Sequence, residues 1–376
     1  MSRRIVLVGN TSWSMYNFRM PLFKLLREHD YEVHIVAPAD EFGQRLEETG
    51  FTFHPIKIDN KGSNPLADLT TLRAFRQIYR RILPDIVVHY TIKPNIYGTL
   101  AAARLGIPSI AITTGLGQIF NERSVRSQVA KSLYKYAFRK PERVLFLNGD
   151  DRDIFVTNKI VPNGSITKVL RGEGIDTANF VRKSPLPTGQ RSFVLIGRLL
   201  WPKGVGEFVA AARTLKAKYP DVAFNILGFV NPQDPTSVSL EDLDQWEVEG
   251  IINYLGSTDD VASFIEKTTC VVLPSYYREG VPRTLMEAAS MATPIITTDN
   301  VGCREVVDHG ENGLLVPVKD AEALANAMER IILANPEDLL AMGRAGRKLM
   351  EDQFSIETIN GELIELFDSI LTKSGR

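Results

Sequence analysis

Short apolar, β-branched runs alternate with amphipathic stretches along most of the chain. In the first half the runs are Ile5–Gly9, Val33–Ala37, Ile86–His89, Ile110–Thr113 and Val144–Leu147, and helical periodicity fills intervals such as Met20–Arg27, Leu72–Arg81 and Arg126–Phe138. The rhythm restarts at Phe193 and continues through Phe224–Leu227, Ile252–Leu255, Cys270–Leu273, Pro294–Thr298 and Leu314–Pro317. Continuous apolar strands separated by helices are the mark of parallel sheets covered on both faces, so the pattern predicts the α/β class with doubly wound sheets. The break falls in Arg182–Gln190 (RKSPLPTGQ), a polar Pro/Gly stretch with linker character. Two domains follow, 1–183 and 184–354. Residues 355–376 form a separate tail, with an amphipathic helix over Ser355–Leu371.

The stretch Cys270–Pro317 carries the most specific chemistry. An apolar strand ends in a loop bearing Glu279 and Gly280, and a helix starts near Pro282 with Glu287 in its early turns. Helix N-termini present unpaired N–H groups and partial positive charge, which suits phosphate. Gly280 permits close backbone approach and Pro282 pre-sets the first helical φ, followed by Arg283 and Thr284. A carboxylate repels phosphate, so Glu279 and Glu287 suit sugar and ribose hydroxyls instead. A second cluster lies after Phe193–Leu199, where Gly197-Arg198 and Lys203-Gly204 precede a helix over Val205–Tyr219. The C-terminal edge of a parallel sheet is where such folds bind ligands, and two cations there can neutralise a diphosphate. Phosphate and hydroxyl recognition side by side predict a sugar-nucleotide site.

Taken in order, Gly197-Arg198, Lys203-Gly204, Glu279-Gly280, Glu287, Gly302, Glu305 and Asn312–Val316 (NGLLV) resemble the pattern of glycosyltransferase family 4. The resemblance covers nearly the whole chain and is strongest over 171–317. It implies a GT-B fold, with two Rossmann-like doubly wound domains facing a central cleft, and retaining transfer from a nucleotide sugar. It implies that Arg198 and Lys203 bind the diphosphate, that Glu287 binds the ribose, and that Glu279 with the amides after it holds the hexose. Gly197, Gly280, Val281, Pro282, Arg283, Thr284 and Leu285 complete the implied donor site, with Arg198, Lys203 and Glu279 as its catalytic groups. Gly174-Ile175-Asp176 and Phe180 match the family's interdomain segment, and the tail is implied to cross back to the N-terminal domain.

Phe18–Pro21 (FRMP), His89–Asn95 (HYTIKPN) and Thr114–Gly117 (TGLG) resemble a subgroup of bacterial transferases of lipid-linked oligosaccharide, O-antigen or capsule assembly, one of which adds N-acetylgalactosamine in bacterial N-glycosylation. That resemblance implies a UDP-sugar donor and a polyprenyl-diphosphate-linked sugar acceptor. The acceptor candidates are Asn10, Arg19, His89, Lys93, Asn95, Thr114 and Gly115, with Arg19 or Lys93 meeting the acceptor's diphosphate. Relatives often carry paired glycines in the loop after the first strand; the loop Gly9–Arg19 has only Gly9 and places Trp13 there.

Composition narrows the class further. The chain has 376 residues and a formal net charge of −1. Residues 1–185 hold 27 basic and 17 acidic side chains, a net of +10, and the remainder is −11. A basic half is drawn to anionic membrane or anionic acceptors; docking against the acidic half explains it equally well. The helix 124–140 interleaves Arg126, Lys131, Lys135, Arg139 and Lys140 with apolar residues, a pattern that suits a membrane surface or a core-packed helix. No apolar run approaches the roughly 20 residues needed to span a bilayer, and the first residues run into a strand without a signal-peptide pattern. Only Cys270 and Cys303 are present, without metal-ligand spacing. The expectation is a cytoplasmic enzyme, peripheral on the inner face of the membrane, with no cofactor, no metal and no nucleic-acid partner. Asp151-Arg152-Asp153 and Asp242-Leu243-Asp244 imitate a metal motif; helix capping explains the first, and the second lies in a surface insertion. A sugar-nucleotide epimerase, a transferase with a soluble acceptor and a non-catalytic sugar-nucleotide-binding protein are the alternatives.

Overall fold

The computed structural model describes residues 2–59, 64–116, 125–162, 164–187 and 189–373. Among them, thirteen strands form two all-parallel sheets. The first comprises β1 (Arg3–Val8), β2 (Tyr31–Ala37), β3 (Thr52–Pro55), β4 (Ile86–Tyr90), β5 (Ser109–Thr113), β6 (Arg143–Phe146) and β7 (Thr167–Val169), in the order β3-β2-β1-β4-β5-β6-β7. The second comprises β8 (Ser192–Ile196), β9 (Ala223–Leu227), β10 (Asn253–Tyr254), β11 (Cys270–Leu273), β12 (Ile295–Thr298) and β13 (Gly313–Val316), in the order β10-β9-β8-β11-β12-β13.

Both orders reverse direction beside the first strand. The switch lies between β1 and β4 in one sheet and between β8 and β11 in the other. Loops leaving the C-terminal ends of that strand pair diverge to opposite faces and open a crevice, the usual ligand position in such folds. The apolar runs named above coincide with eleven of the thirteen strands; β3 and β7 are short and half-exposed, so they lack the buried-strand signature.

The chain divides into two compact units, Met1–Glu173 with Glu357–Arg376, and Gly174–Ile356. The boundary falls ahead of the expected 183/184 break. Ile175 sits in the second unit's core, and Arg182 donates to the carbonyls of Met291 and Ile265 and to Thr293 Oγ1 at 2.7 Å. The described residues of the Pro/Gly stretch therefore belong to the second unit, with Leu186 buried in its core. The tail helix Ile356–Lys373 buries Leu363, Phe367 and Leu371 in the first unit, and Asp368 takes hydrogen bonds from Arg3 at 2.6 Å and Tyr31 at 2.8 Å. The loop expected after β1 is shorter than predicted. A helix already starts at Ser12, where the Thr11 side chain accepts from Ser14 N, and it runs through Pro21 to Glu28. Asp151 and Asp242 both take first-turn positions, bonded through Asn148 and Ser239 respectively.

A histidine pair on the edge of the first sheet makes stability pH-dependent. His34 Nδ1 lies 3.0 Å from His54 Nε2, and His34 Nε2 lies 3.0 Å from Glu32 Oε1. Burial pushes His54 down to about 4, helped by the charges of His34 and Arg81; burial also lowers His34, against the pull of Glu32. The unfolded chain takes up these protons near pH 6.5 and the folded chain resists, so stability is complete above that pH and declines as pH falls towards 4. Thermal melting across pH 4–8 should show this decline, and a His34→Gln/His54→Gln variant should show a shallower one. Equal slopes would overturn the assignment.

Candidate functional site

The second unit builds its site from the two loops at its switch point. After β8 the chain runs through Gly197-Arg198 and a short turn, Trp201–Lys203, into the helix Val205–Lys218. After β11 it runs through Ser275 and Tyr277 to Glu279. The amides of Tyr276 and Tyr277 both donate to the Pro202 carbonyl at 2.9 Å, which ties the two loops together. Lys203 Nζ then reaches Glu279 Oε1 at 2.5 Å, and Ser275 Oγ donates to the same oxygen at 3.0 Å. Both members of the ion pair are largely buried, with side chains 13% and 11% exposed.

Tyr277 stands between the two cations. Lys203 Nζ lies 5.7 Å from its ring centroid. Burial raises its phenol pKa, and the charge of Arg198 and a hydrogen bond from it work in the opposite sense. Arg198 itself is exposed. The loop after β12 closes the site from the other side: Asn300 Nδ2 donates to the Tyr277 carbonyl at 2.9 Å, and Thr298 Oγ1 donates to the Ser275 carbonyl at 2.5 Å. Gly302 has a φ of +77°, and a Cβ there would lie 2.3 Å from the Gly280 oxygen and 2.7 Å from that of Glu279.

The helix Arg283–Ser290 starts immediately beyond, with Pro282 as its N-cap residue and no side chain bonded there as a cap. Pro282 thus precedes the helix rather than occupying its first turn. Glu287 is buried and accepts from Arg283 Nε at 2.8 Å. Burial raises its carboxyl pKa, and the Arg283 charge opposes that shift. Leu285 is fully buried in the core, so its side chain is not available to a ligand; Val281 packs on the same cluster. Gly197 bonds through its amide to the Leu227 carbonyl. The structure therefore brings Lys203, Glu279, Ser275 and Tyr277 together, with Arg198 beside them and Glu287 on the adjoining helix. Sequence reasoning missed Ser275 and Tyr277; their position one loop beyond a buried strand was the available signal.

In the first unit, Asn10 follows β1, while Thr114 and Gly115 follow β5, so all three lie at C-terminal strand ends. Gly117 lies outside the described residues. His89 is a core residue. Its Nε2 is 2.9 Å from Tyr79 Oη, its Nδ1 is 3.3 Å from Thr99 Oγ1, and burial lowers its pKa to about 3. With no exposure, it is corrected from acceptor contact to a neutral packing residue. Asn95 is likewise fully buried and donates to the Ile112 carbonyl at 2.9 Å, so the same correction applies. Lys93 pairs with Asp68 at 2.7 Å, and Tyr97 donates to the other oxygen of that carboxylate at 2.7 Å. Arg19 is only 6% exposed and pairs with Glu173. Neither cation stands ready for a diphosphate. The basic helix spans Val125–Ala137 and exposes Val129 and Tyr136 while burying Tyr134 and Ala137; Ser124 lies outside the described residues. Among the described residues, no helix is long and apolar enough to cross a membrane.

Residues 4–148 match the family model for glycosyl transferase 4-like proteins, and residues 176–349 match that for glycosyl transferases group 1. The chain is 26% identical to the N,N'-diacetylbacillosaminyl-diphospho-undecaprenol alpha-1,3-N-acetylgalactosaminyltransferase of Campylobacter jejuni, over 98% of this chain and 99% of that protein. It is 24% identical to the capsular polysaccharide biosynthesis glycosyltransferase CapM of Staphylococcus aureus, over 93% of each. Among solved structures, a glycosyltransferase from Rickettsia africae superposes with a TM-score of 0.83 at 17% identity, over 98% of this chain and 99% of that one. Anabaena Alr3699/HepE, solved in complex with UDP, superposes at 0.78 with 18% identity, over 98% and 100%. Two Rossmann-like parallel-sheet units with these matches define a glycosyltransferase of GT-B fold. The chain belongs to the glycosyltransferase family 4-like group, and it is an enzyme of that class.

Proposed function

We propose that this enzyme moves a hexose or N-acetylhexosamine from a UDP-sugar to a polyprenyl-diphosphate-linked sugar, with retention at the anomeric carbon, in the assembly of a surface polysaccharide or glycoprotein glycan. The observation that carries this reading is the Lys203–Glu279 pair at the switch point of the second sheet, with Arg198 alongside. The acceptor class is supported by the activity for which the Campylobacter relative is named, and the donor by the UDP complex of the Anabaena protein.

The chemistry follows from the groups present. An ammonium has three donors; Lys203 spends one on Glu279 and can turn others to the donor's phosphates. Arg198, Lys203 and the amides at the start of the helix Arg283–Ser290 stabilise the charge that develops on the leaving diphosphate. Glu279 accepts from hexose hydroxyls and Glu287 from the ribose diol. The bond from the anomeric carbon to the phosphate oxygen breaks, the bond to the acceptor oxygen forms on the same face, and the acceptor's proton passes to the departing phosphate. No protein nucleophile is required. Two side-chain cations supply the positive charge, so activity should persist in EDTA.

Asn10, Thr114 and Gly115 are the acceptor-side groups that retain suitable positions. The helix Val125–Ala137 exposes Val129, Tyr136 and Lys135, which supports contact with an anionic membrane surface at which a lipid-linked acceptor is presented. A panel of nucleotide sugars, each combined with polyprenyl-diphosphate-linked sugars and read by mass spectrometry, tests the assignment. Product carrying one added sugar, with α-anomeric configuration by NMR from an α-linked donor, is expected. Conversion of the donor without any acceptor would instead identify an epimerase, and product only with water-soluble sugars would remove the lipid acceptor.

A further inference from the structure

The cation Arg19 sits in a cavity of the first unit, among Phe18, Leu22, Tyr90, Leu147 and Leu170. Its guanidinium carbon lies 4.1 Å from the Tyr90 ring centroid. One terminal nitrogen donates to the Ser14 carbonyl at 2.8 Å and the other to Glu173. Only Nε is left without a partner. A planar guanidinium stacked on an aromatic face and bonded at both ends is held in one orientation. It has little left to offer an incoming diphosphate.

Glu173 is the last residue of the first unit before the chain passes into the second. It lies between Gly172 and Gly174, both with left-handed φ (+75° and +82°), so the backbone on either side of it adopts conformations that ordinary residues resist. The segment then continues along the second unit. The Ile175 amide donates to the Phe354 carbonyl at 2.9 Å, and the Phe180 carbonyl accepts from Ser290 Oγ at 2.9 Å, at the end of the helix that carries Glu287. One continuous stretch of chain therefore starts at the Arg19 pair and ends braced on the donor-site helix.

We propose that Arg19 is a positioning residue for sugar transfer: through Glu173 it fixes the segment by which the chain leaves the first unit, and it does not itself grip the acceptor. The inference rests on the transferase activity but not on the identity of donor or acceptor. Four variants test it: Arg19→Ala, Glu173→Gln, the double variant, and the exchanged pair Arg19→Glu/Glu173→Arg. A positioning role predicts that both single variants lose 10- to 100-fold in kcat, that the double variant is no worse than either, and that the exchanged pair recovers part of the loss. Acceptor KM should change less than threefold, and UDP affinity, measured by calorimetry, should stay the same, which also reports that the second unit is folded. If Arg19 contacts the acceptor, Arg19→Ala raises acceptor KM by tenfold or more while Glu173→Gln leaves kcat intact, and the proposal fails. A melting curve on each variant separates loss of fold from loss of position: folded variants with additive losses in kcat also overturn it. Should no transfer be found for the parent enzyme with any donor, the activity assignment fails instead.

Discussion

Replacing Lys203 with alanine is expected to lower kcat by about 10²- to 10³-fold, the cost of removing one preorganised group that stabilises a leaving oxyanion. The variant also takes the ion-pair partner from the buried carboxylate of Glu279, to which Ser275 Oγ donates at 3.0 Å. Breaking a buried ion pair from one side costs on the order of 3–5 kcal/mol, so Lys203→Ala should melt at a lower temperature than the parent. The two effects separate in the double variant Lys203→Ala/Glu279→Gln. Neutralising Glu279 should restore most of the melting temperature while activity stays lost. Steady-state kinetics and calorimetry on the three proteins decide the matter. A single variant with full turnover, or a double variant that regains turnover with stability, would remove Lys203 from the transfer step.

Gly302→Ala is expected to be nearly as damaging, although the added group is a single methyl. The methyl would lie 2.3 Å from the Gly280 oxygen and 2.7 Å from that of Glu279. Both are backbone atoms, so relief requires the whole Glu279-Gly280 turn to shift. The left-handed φ of +77° adds about 1–2 kcal/mol of strain for any residue with a Cβ. A displacement near 1 Å at a reacting centre can cost about 10²-fold in rate, and the loss should fall mainly on kcat with that donor. The remainder of the second unit should keep its fold, because β8, β9 and β11 lie away from the clash. Activity within threefold of the parent would show that the turn is not held as described.

The sequence made the donor side legible because its residues announce themselves by context. Arg198, Lys203 and Glu279 follow apolar strands directly, and a strand end followed by a cation or carboxylate is an unusual local pattern. Their mutual arrangement was not legible. Lys203 and Glu279 were assigned to different parts of the donor, yet they bond to each other, because only the parallel pairing of β8 with β11 brings residues 76 positions apart into contact. On the first unit the same local reasoning misplaced His89 and Asn95. A histidine ending an apolar strand reads equally as a catalytic group or as a core or rim residue, and the deciding partners, Tyr79 and Thr99, come from other elements. Lys93 and Arg19 look like free cations in sequence; their carboxylates, Asp68 and Glu173, lie 25 and 154 residues away. The domain boundary was misread for a related reason. Proline and glycine mark loops, and the loop at 184–190 is anchored within the second unit by Glu266, which accepts from the Lys183 amide at 2.8 Å and the Ser184 amide at 2.6 Å.

The discontinuous first unit also imposes an order on synthesis. A chain made from its N-terminus completes residues 174–356 as an unbroken stretch, whereas the first unit still lacks the helix that buries Leu363, Phe367 and Leu371. Domains tend to fold as they emerge, the earlier one first. Here the earlier one is completed last, because the helix that buries Leu363, Phe367 and Leu371 is made after every residue of its successor.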